Sequence, residues 1–535
     1  MEHSFWFTFD DDADFELLRD LMRSAGYDEA RICERMQIPT VYNFRSIIEG
    51  RTERVSLESE LDVLIRLFMD AEPVAAQDLE RFLADGRQAA LRRLGLIRED
   101  AQGNLRSTVL LYPTESLLIA SDLDHSSVDG KLEELPDDVV YPAITKNTQH
   151  FLSSLPERPC ERFLELCSGT GIAALVASGY ATRTWAIDVT RRSTDCAKFN
   201  ARLNGIENFT ALEGDLYEPV AGMSFDRIVA HPPYIPSDEV RFIYRDAGID
   251  GEQLTRRIVE GLPDYLEPGG RLYCTCMVSD RDGRPFEDRV REMLGESQSA
   301  FDVAVVEMGA SHATEHYARQ AMTGRIGFDE VARRHEVFME LEVTQLIYCS
   351  FVVQRVAEPR EVFTLREQRG PRTTGKDFDW LMDWGLATTD SRTMEGLLAA
   401  RPRPSPRTRL RVVHDMEARS WKPVEFTLGT ESPFVSRAEC PEWGAVLLTR
   451  CDGELTFRDH FEALKSAGVF PEEADEGEFL SLARSLIAAG FVEVEEFPFP
   501  FSDGDDRSRL SAGELFGELE RDLAPDVGLR PQGTT

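Results

Sequence analysis

The chain has 535 residues, a formal net charge of −36, 42% hydrophobic residues and 29% charged residues. At roughly 150 residues per domain, this length predicts about three to four domains of ordinary globular composition. A charge of this size repels phosphate backbones and anionic lipid, which excludes general coating of nucleic acid or membrane surfaces. The nine irregularly spaced cysteines and the lack of a basic leader or a long apolar run predict a cytoplasmic protein with no disulfide framework and no membrane span.

The first 122 residues are predicted to form two helical units. Phe15, Leu18 and Leu21 recur at helical spacing, which favours a helical region over residues 1–60. Three further helical segments and a hairpin-like turn predict a winged-helix-like accessory domain over residues 61–122. Winged helices often bind DNA, but acidic residues outnumber basic ones here, so we expect packing or substrate presentation rather than nucleic-acid recognition.

Residues 138–356 alternate short apolar runs with helical stretches, which is typical of an α/β domain with a parallel sheet. We predict a doubly wound, seven-stranded Rossmann-like sheet. Its predicted strands are 162–166, 184–187, 209–213, 226–230, 270–277, 301–307 and 345–354. The polar insertion 310–344 is longer than a usual connection and is predicted to be helical.

The last third is predicted to contain a linker, a domain and a tail. The stretch Arg401-Pro-Arg-Pro-Ser-Pro406 opposes both helix and sheet, so residues 357–408 are predicted to be a linker. Residues 409–500 are predicted to form a second, C-terminal winged-helix-like α+β domain. Residues 501–535 are predicted to be an acidic tail.

A glycine-rich turn follows the first predicted strand of the central domain. The apolar run ends at Glu165, and Cys167, Gly169, Thr170 and Gly171 follow before the next helix. Glycine is needed where a turn takes unusual dihedral angles and where a ligand contacts bare backbone. This turn alone fits both a nicotinamide dinucleotide and other adenosine cofactors.

Acidic residues mark the ends of the next two predicted strands. Asp188 stands at the tip of the second strand, where a carboxylate can accept both hydroxyls of a ribose. Asp215 follows the third strand and is placed to accept an adenine amino proton. The fourth strand then runs into His231-Pro232-Pro233-Tyr234, for which a nicotinamide enzyme has no use.

These stretches resemble the class I S-adenosylmethionine-dependent methyltransferases that carry an (Asn/Asp/Ser)-Pro-Pro-(Tyr/Phe/Trp) motif after the fourth strand. The resemblance is closest to the release-factor glutamine N-methyltransferases and the small-domain methyltransferases. Besides 225–236, it rests on 214–219 and on 250–270. It covers residues 15–356 and is strongest over 160–275.

The resemblance implies S-adenosylmethionine as cofactor, methyl transfer to nitrogen as the reaction, and no metal. The residues it assigns to the cofactor are Glu165, Cys167, Gly169, Thr170, Gly171, Asp188 and Asp215. The residues it assigns to the methyl acceptor are His231, Pro232 and Tyr234. The acidic chain favours a basic or neutral polypeptide, or a small molecule, as the acceptor, with a nucleic-acid base as the alternative.

His231 departs from the family pattern, in which an Asn or Asp side chain accepts a proton of a planar NH2 group. A neutral imidazole offers one acceptor nitrogen and one donor, so His231 can replace only one such contact. It can also act as a general base for an acceptor that must lose a proton. A third interpretation is a binding-only methyltransferase fold that senses the cofactor without using it.

Two other motifs are given structural interpretations. His312 and His316 belong to an H-x-x-E-H pattern, which in some peptidases binds zinc, but no third ligand is evident. Trp380 and Trp384 lie at helical spacing and are predicted to be core residues, with an aromatic substrate platform as the alternative.

Overall fold

The structure is a computed structural model that describes residues 7–9, 11–43, 56–123, 127–128, 131–132, 136–237, 240–322, 327–417, 420–470, 473 and 475–500. The predicted acidic tail 501–535 lies outside the described residues. The described helices are Asp12–Ala25, Glu29–Met36, Glu60–Leu64, Ala76–Phe82, Asp85–Arg93, Lys146–Ser153, Ile172–Ala177, Arg191–Leu203, Gln253–Tyr265, Phe286–Met293, Ala313–Met322, Phe328–Glu340, Gly375–Thr388, Ser391–Gly396, Glu442–Arg450, Phe457–Ser466 and Glu476–Ala488. Within that described portion, every helix is too short or too polar to cross a bilayer.

A mixed sheet of eleven strands organises the molecule. Its strands are β1 (Cys160–Leu166), β2 (Ala181–Asp188), β3 (Phe209–Glu213), β4 (Phe225–Ala230), β5 (Leu266–Arg281), β6 (Phe301–Ser311), β7 (Val343–Arg355), β8 (Thr364–Arg369), β9 (Arg409–Glu417), β10 (Ser420–Thr430) and β11 (Phe434–Cys440). Their order across the sheet is β3-β2-β1-β4-β5-β7-β6-β8-β11-β10-β9. Strands β1 to β5 are parallel, and β7 runs antiparallel to both β5 and β6.

The structure confirms an α/β Rossmann-like fold, but the sheet is larger than predicted. All seven predicted strands are present and occupy adjacent positions, β3 to β6, in the sheet order. Four more strands extend it beyond β6, because β8 pairs parallel with β6 and antiparallel with β11. The C-terminal strands therefore continue the central sheet instead of forming a separate one.

The segment predicted as a linker, residues 357–408, is folded. It contains β8 and the helices Gly375–Thr388 and Ser391–Gly396. The first of these helices buries Phe378, Trp380 and Trp384 in one core cluster. Burial of these large apolar side chains outweighs the prolines nearby, since burying each one fully contributes roughly 1.5–3 kcal/mol. Trp380 and Trp384 stack on each other at 6.1 Å and are core residues, not a surface platform.

The accessory region has the order of elements that a winged helix requires. Helices 60–64, 76–82 and 85–93 surround a three-stranded sheet made of 74–75, 104–107 and 97–99. The winged-helix assignment stays a prediction. This region is attached to the central domain at helix 191–203, where the Asn200 amide exchanges hydrogen bonds with the backbone of Ala120 and Arg192 forms an ion pair with Asp122.

Candidate functional site

A cavity of about 370 Å³ lies at the carboxyl ends of β1 to β4. Open α/β sheets bind ligands at this edge, and known small-molecule pockets occupy about 300–1,000 Å³. The predicted site residues that line the cavity are Glu165, Cys167, Gly169, Thr170, Asp188, Asp215, His231, Pro232 and Tyr234. Gly171 lies behind the wall, where an added Cβ would come within 3.0 Å of the Ala197 Cβ.

The turn after β1 has the backbone that its glycines predict. Gly169 and Gly171 have φ angles of +51° and +76°, in the left-handed region that side chains disfavour. A Cβ placed on Gly169 would meet no heavy atom within 4 Å, so open space borders the backbone there. A ligand in the cavity can therefore contact bare peptide groups at Gly169. Gly171 begins the helix Ile172–Ala177.

Glu165 is a buried carboxylate at the base of the cavity. It is 3% exposed and accepts the backbone N–H groups of Ala173 and Ala174 at 3.3 and 2.8 Å. Burial raises its pKa to about 8, although these two hydrogen bonds act in the opposite direction. In the described part of the chain, no arginine, lysine or histidine forms an ion pair with Glu165. A cationic ligand group would therefore complete its environment.

Asp188 ends β2 and joins the glycine turn to the next helix. Its Oδ2 accepts the Gly169 N–H at 2.9 Å, and its Oδ1 accepts the N–H and Oγ1–H of Thr190 at 3.0 and 3.1 Å. Burial raises the pKa of Asp188, and these hydrogen bonds oppose the rise. Each carboxylate oxygen has two lone pairs, so Oδ1 is fully used by Thr190, whereas Oδ2 retains capacity for a ligand hydroxyl.

Asp215 lies at the opposite rim of the cavity from β1. Its Oδ2 forms an ion pair with Arg257 Nη2 at 2.8 Å, and both side chains are about two-fifths exposed. The role of Asp215 toward adenine remains a prediction. Water competes for a carboxylate in this setting, so its contribution to ligand binding should be small.

We expect the substitution Asp215→Ala to weaken cofactor binding by about threefold, or ~0.7 kcal/mol. Calorimetric titration with S-adenosylhomocysteine measures the change. Glu213→Ala is the matched control, since Glu213 is an exposed carboxylate at the end of the same strand and lies outside the cavity wall. A loss of affinity above tenfold for Asp215→Ala would show that Asp215 contributes more to ligand binding than its solvent-exposed ion pair with Arg257 allows.

His231 follows β4 and contacts two aromatic rings. Its ring centroid lies 5.3 Å from that of Phe151 and 5.9 Å from that of Tyr234. Its Nε2 is buried and has no hydrogen-bond partner in the part of the chain that the structure describes. Burial lowers the pKa of His231 to about 4, because charging the ring would leave an unsolvated cation. His231 is therefore neutral near pH 7 and is a weak base.

Sequence reasoning missed the helix that supports the acceptor end of the cavity. Asn147 and Phe151 lie one turn apart on the helix Lys146–Ser153 and both line the cavity. The Asn147 side-chain amide donates to the Tyr234 hydroxyl at 3.2 Å. Tyr141 and Tyr244 also stack at 4.8 Å beside the cavity. The spacing of Asn147 and Phe151 is that of one face of a helix, but nothing in the sequence indicates that either residue lies near the segment after β4.

The H-x-x-E-H pattern has ordinary structural partners. His316 is 2% exposed and its Nε2 lies 3.0 Å from the side-chain nitrogen of Gln320. His312 precedes the helix Ala313–Met322 that carries His316. Across the ranges that the structure describes, no group of three or more His, Cys, Asp or Glu side chains is placed to hold a metal ion.

Comparison with known proteins relates this chain to one family of methyltransferases. The family model described as the methyltransferase small domain matches residues 140–300. A putative protein N5-glutamine methyltransferase of Methanocaldococcus jannaschii is 32% identical over 151 residues, which are 27% of this chain and 74% of that protein. The chain belongs to the methyltransferase small-domain family.

Other relatives of this family match shorter parts of their own length. A release factor glutamine methyltransferase of Moorella thermoacetica is 33% identical over 27% of this chain and 57% of that protein. A ribosomal protein uL3 glutamine methyltransferase of Bradyrhizobium diazoefficiens is 30% identical over 21% of this chain and 40% of that protein. The chain thus spans about half the length of these two relatives.

S-adenosylmethionine is the cofactor that membership of this methyltransferase family implies, and the cavity suits it. The cofactor carries a sulfonium and an ammonium group, and Glu165 and Asp188 are carboxylates without a cationic partner among the described residues. Gly169 leaves open space for the cofactor beside the backbone. The volume of about 370 Å³ accommodates a ligand of this class.

Proposed function

We propose that this protein transfers a methyl group from S-adenosylmethionine to the side-chain amide nitrogen of a polypeptide. One observation carries the proposal: one cavity is lined by the carboxyl groups of Glu165 and Asp188, which have no cationic partner among the described residues, and by the His231-Pro-Pro-Tyr234 segment. The curated relatives named for glutamine methylation support an amide as the acceptor.

The contribution of the chain is chiefly positioning. The bound cofactor supplies an electrophilic methyl group on a sulfonium. Asp188 accepts a hydrogen bond from a ribose hydroxyl, and Glu165 with the turn at Gly169 holds the methionine end. Alignment of two reactants in this way removes much of the entropic barrier to an in-line displacement. As the new N–C bond forms, the methyl C–S bond of the sulfonium would break and release S-adenosylhomocysteine, and one N–H proton of the acceptor would pass to water.

The state of His231 favours an amide over an amine or hydroxyl acceptor. A protonated amine or a hydroxyl needs a base, and a group with a pKa of about 4 is poorly matched to that task near pH 7. A planar amide needs only to be oriented by hydrogen-bond acceptors. A neutral imidazole provides one of these, and Tyr234 provides a ring on which the planar group stacks.

We expect His231→Asn to retain or raise methyl-transfer activity, within about threefold of wild type, because an asparagine oxygen accepts the same amide proton. Incorporation of labelled methyl groups into a fractionated cell extract measures the activity. His231→Ala should lose about tenfold to a hundredfold, since one orienting acceptor disappears.

His335→Asn serves as the control, because His335 is exposed on the helix Phe328–Glu340 and does not line the cavity. Near-complete loss of activity in His231→Asn would contradict the amide interpretation and support a base. Mass spectrometry of the labelled product then identifies the modified side chain. If the protein binds the cofactor but never forms S-adenosylhomocysteine with any extract fraction, it is a binding protein and not an enzyme.

A further inference from the structure

A second groove, of about 700 Å³, lies on the C-terminal extension of the sheet. Its charged lining residues are Arg372, Arg407, Arg409, Arg411, Arg437 and Glu431. Five arginines in one groove contrast with the net charge of −36 for the whole chain. Two of them, Arg372 and Arg407, belong to residues 357–408, which the sequence predicted to be a linker.

Strand register places the arginines on both sides of a trough. Arg409 of β9 faces Gly429 of β10, and Gly429 faces Arg437 of β11. Residues paired across adjacent strands project on the same face, so the two guanidinium groups flank a position that has no side chain. A Cβ on Gly429 would meet only the Ser436 carbonyl oxygen, at 3.9 Å. The trough floor is therefore open.

The arginines that border this trough are available to an external anion. Arg372, Arg409, Arg411 and Arg437 are exposed, and within the described ranges none of them forms an ion pair or a side-chain hydrogen bond. Most other arginines of the central domain are engaged. Arg271, for example, bonds to Asp379 and Asp383. A cluster of unneutralised guanidinium groups repels itself, and a polyanion relieves that repulsion.

The groove and the methyltransferase cavity lie at the same end of the strands, which is the carboxyl end of β1 to β5. Strand β8 is parallel to β6, and both β5 and β6 are antiparallel to β7, so β8 runs in the direction of β1 to β5. Pro371 and Arg372 of the groove follow directly after β8. Six strand spacings of about 4.8 Å separate β4 from β10, which places the trough floor at Gly429 roughly 29 Å across the sheet from the end of β4, where His231 lies. About nine residues of extended polypeptide cover that distance.

We propose that this arginine groove binds an acidic segment of the acceptor polypeptide, about nine residues from the side chain that is methylated. This inference rests on the proposed function, because it gives the acceptor a second contact. An acidic peptide fits better than single-stranded RNA, since none of the described residues that line the groove is an aromatic that could stack on bases. The remainder of the acidic surface repels such a peptide, so the groove fixes where it docks.

The exposed edge of β9 adds a second reason to favour a polypeptide. β9 is the last strand of the sheet, and eight of its nine residues are exposed. Its outer backbone N–H and C=O groups have no neighbouring strand within the described residues. An extended peptide can pair with such an edge, whereas a nucleic acid gains nothing from it.

Fluorescence anisotropy tests the groove. It measures, without cofactor, the binding of a fluorescein-labelled peptide of five Glu-Ala repeats to the full chain. We expect saturable, salt-sensitive binding that the double substitution Arg409→Gln and Arg437→Gln weakens by about tenfold or more. Gly429→Leu should weaken binding by a similar factor while leaving the charge unchanged, because it fills the trough. The double substitution Arg98→Gln and Arg333→Gln removes two exposed arginines elsewhere and should leave binding unchanged.

Three outcomes would overturn the inference. The first is equal binding of the acidic peptide by the wild-type protein and by the variant with Arg409→Gln and Arg437→Gln. The second is binding of a Gln-Ala peptide by the wild-type protein as tight as that of the Glu-Ala peptide. The third is stronger binding of a ten-nucleotide oligouridylate than of the acidic peptide, which would assign the groove to nucleic acid. Each variant is also titrated with S-adenosylhomocysteine, whose affinity should not change. A failure of peptide binding with intact cofactor binding therefore refutes the groove alone, and leaves the proposed methyl transfer standing.

Discussion

The substitution Asp188→Ala should weaken binding of S-adenosylhomocysteine by about 30- to 150-fold, or ~2–3 kcal/mol. We propose that the carboxylate at the tip of β2 accepts a ribose hydroxyl, and a hydrogen bond to a charged group contributes more than a neutral one. The ribose is common to S-adenosylmethionine and S-adenosylhomocysteine, so calorimetric titration with the second ligand isolates this contact from the chemistry.

Part of that loss has a local structural cause. Asp188 accepts the N–H of Gly169 and two donors of Thr190, and alanine leaves all three without this acceptor. Asp188→Asn keeps one acceptor oxygen and should lose less affinity, about tenfold. Thermal unfolding of both variants without ligand separates loosening of the turn from loss of the ribose contact.

Asp195→Ala is the control for Asp188. Asp195 lies on the helix that follows β2, pairs with Arg191 on the surface and does not line the cavity. Its removal should change affinity by less than about twofold. Unchanged affinity in Asp188→Ala would remove the ribose assignment and leave the proposed cofactor position without its central contact.

Apolar runs in the sequence predicted strands β1 to β7, whereas β8, which is held by ion pairs, was not predicted. Strands β1 to β7 are largely apolar because helices or loops cover both faces, and such strands read as continuous apolar runs. β8, in contrast, has the sequence Thr-Leu-Arg-Glu-Gln-Arg. Its Arg366 pairs with Asp280, Glu287 and Glu307 on neighbouring elements. Partners this distant in sequence leave no periodic signal.

Within the site, too, the sequence predicted some residues and missed others. Glu165, Asp188 and His231 were predicted to lie together because each one ends or follows a parallel strand, and the carboxyl ends of such strands share one edge. Asn147 and Phe151 reach that edge from a helix that precedes β1. Their contacts with Tyr234 and His231 depend on how that helix packs, which a single sequence does not encode in its spacing.

Glu165 should make cofactor affinity strongly dependent on pH. Its pKa is raised to about 8 by burial, so the free protein carries a neutral carboxyl group there below that pH. A cationic ligand group favours the ionised form. Binding therefore requires loss of a proton below pH 8, and the affinity should rise by about tenfold per pH unit from pH 6 until it levels near pH 8.

The variant Glu165→Gln provides the matched comparison, because it keeps the size and the hydrogen-bonding oxygen but does not titrate. The ligand's own titration affects both proteins equally, so the ratio of their affinities isolates the contribution of Glu165. We expect the wild-type protein to bind the ligand no more tightly than the variant at pH 6. The ratio of the wild-type affinity to the variant affinity should be about 50-fold higher at pH 8 than at pH 6.

Proton release measured by calorimetry in buffers of different ionisation enthalpy gives an independent readout. Wild-type protein should release close to one more proton than Glu165→Gln on binding at pH 7, and the difference should vanish well above pH 8. A ratio of affinities that stays constant from pH 6 to pH 8 would mean that the N–H groups of Ala173 and Ala174 already hold Glu165 ionised in the free protein. In that case burial would not keep Glu165 neutral. The N–H groups of helix 172–177 would stabilise its negative charge, a role that we assign to the cationic group of the cofactor.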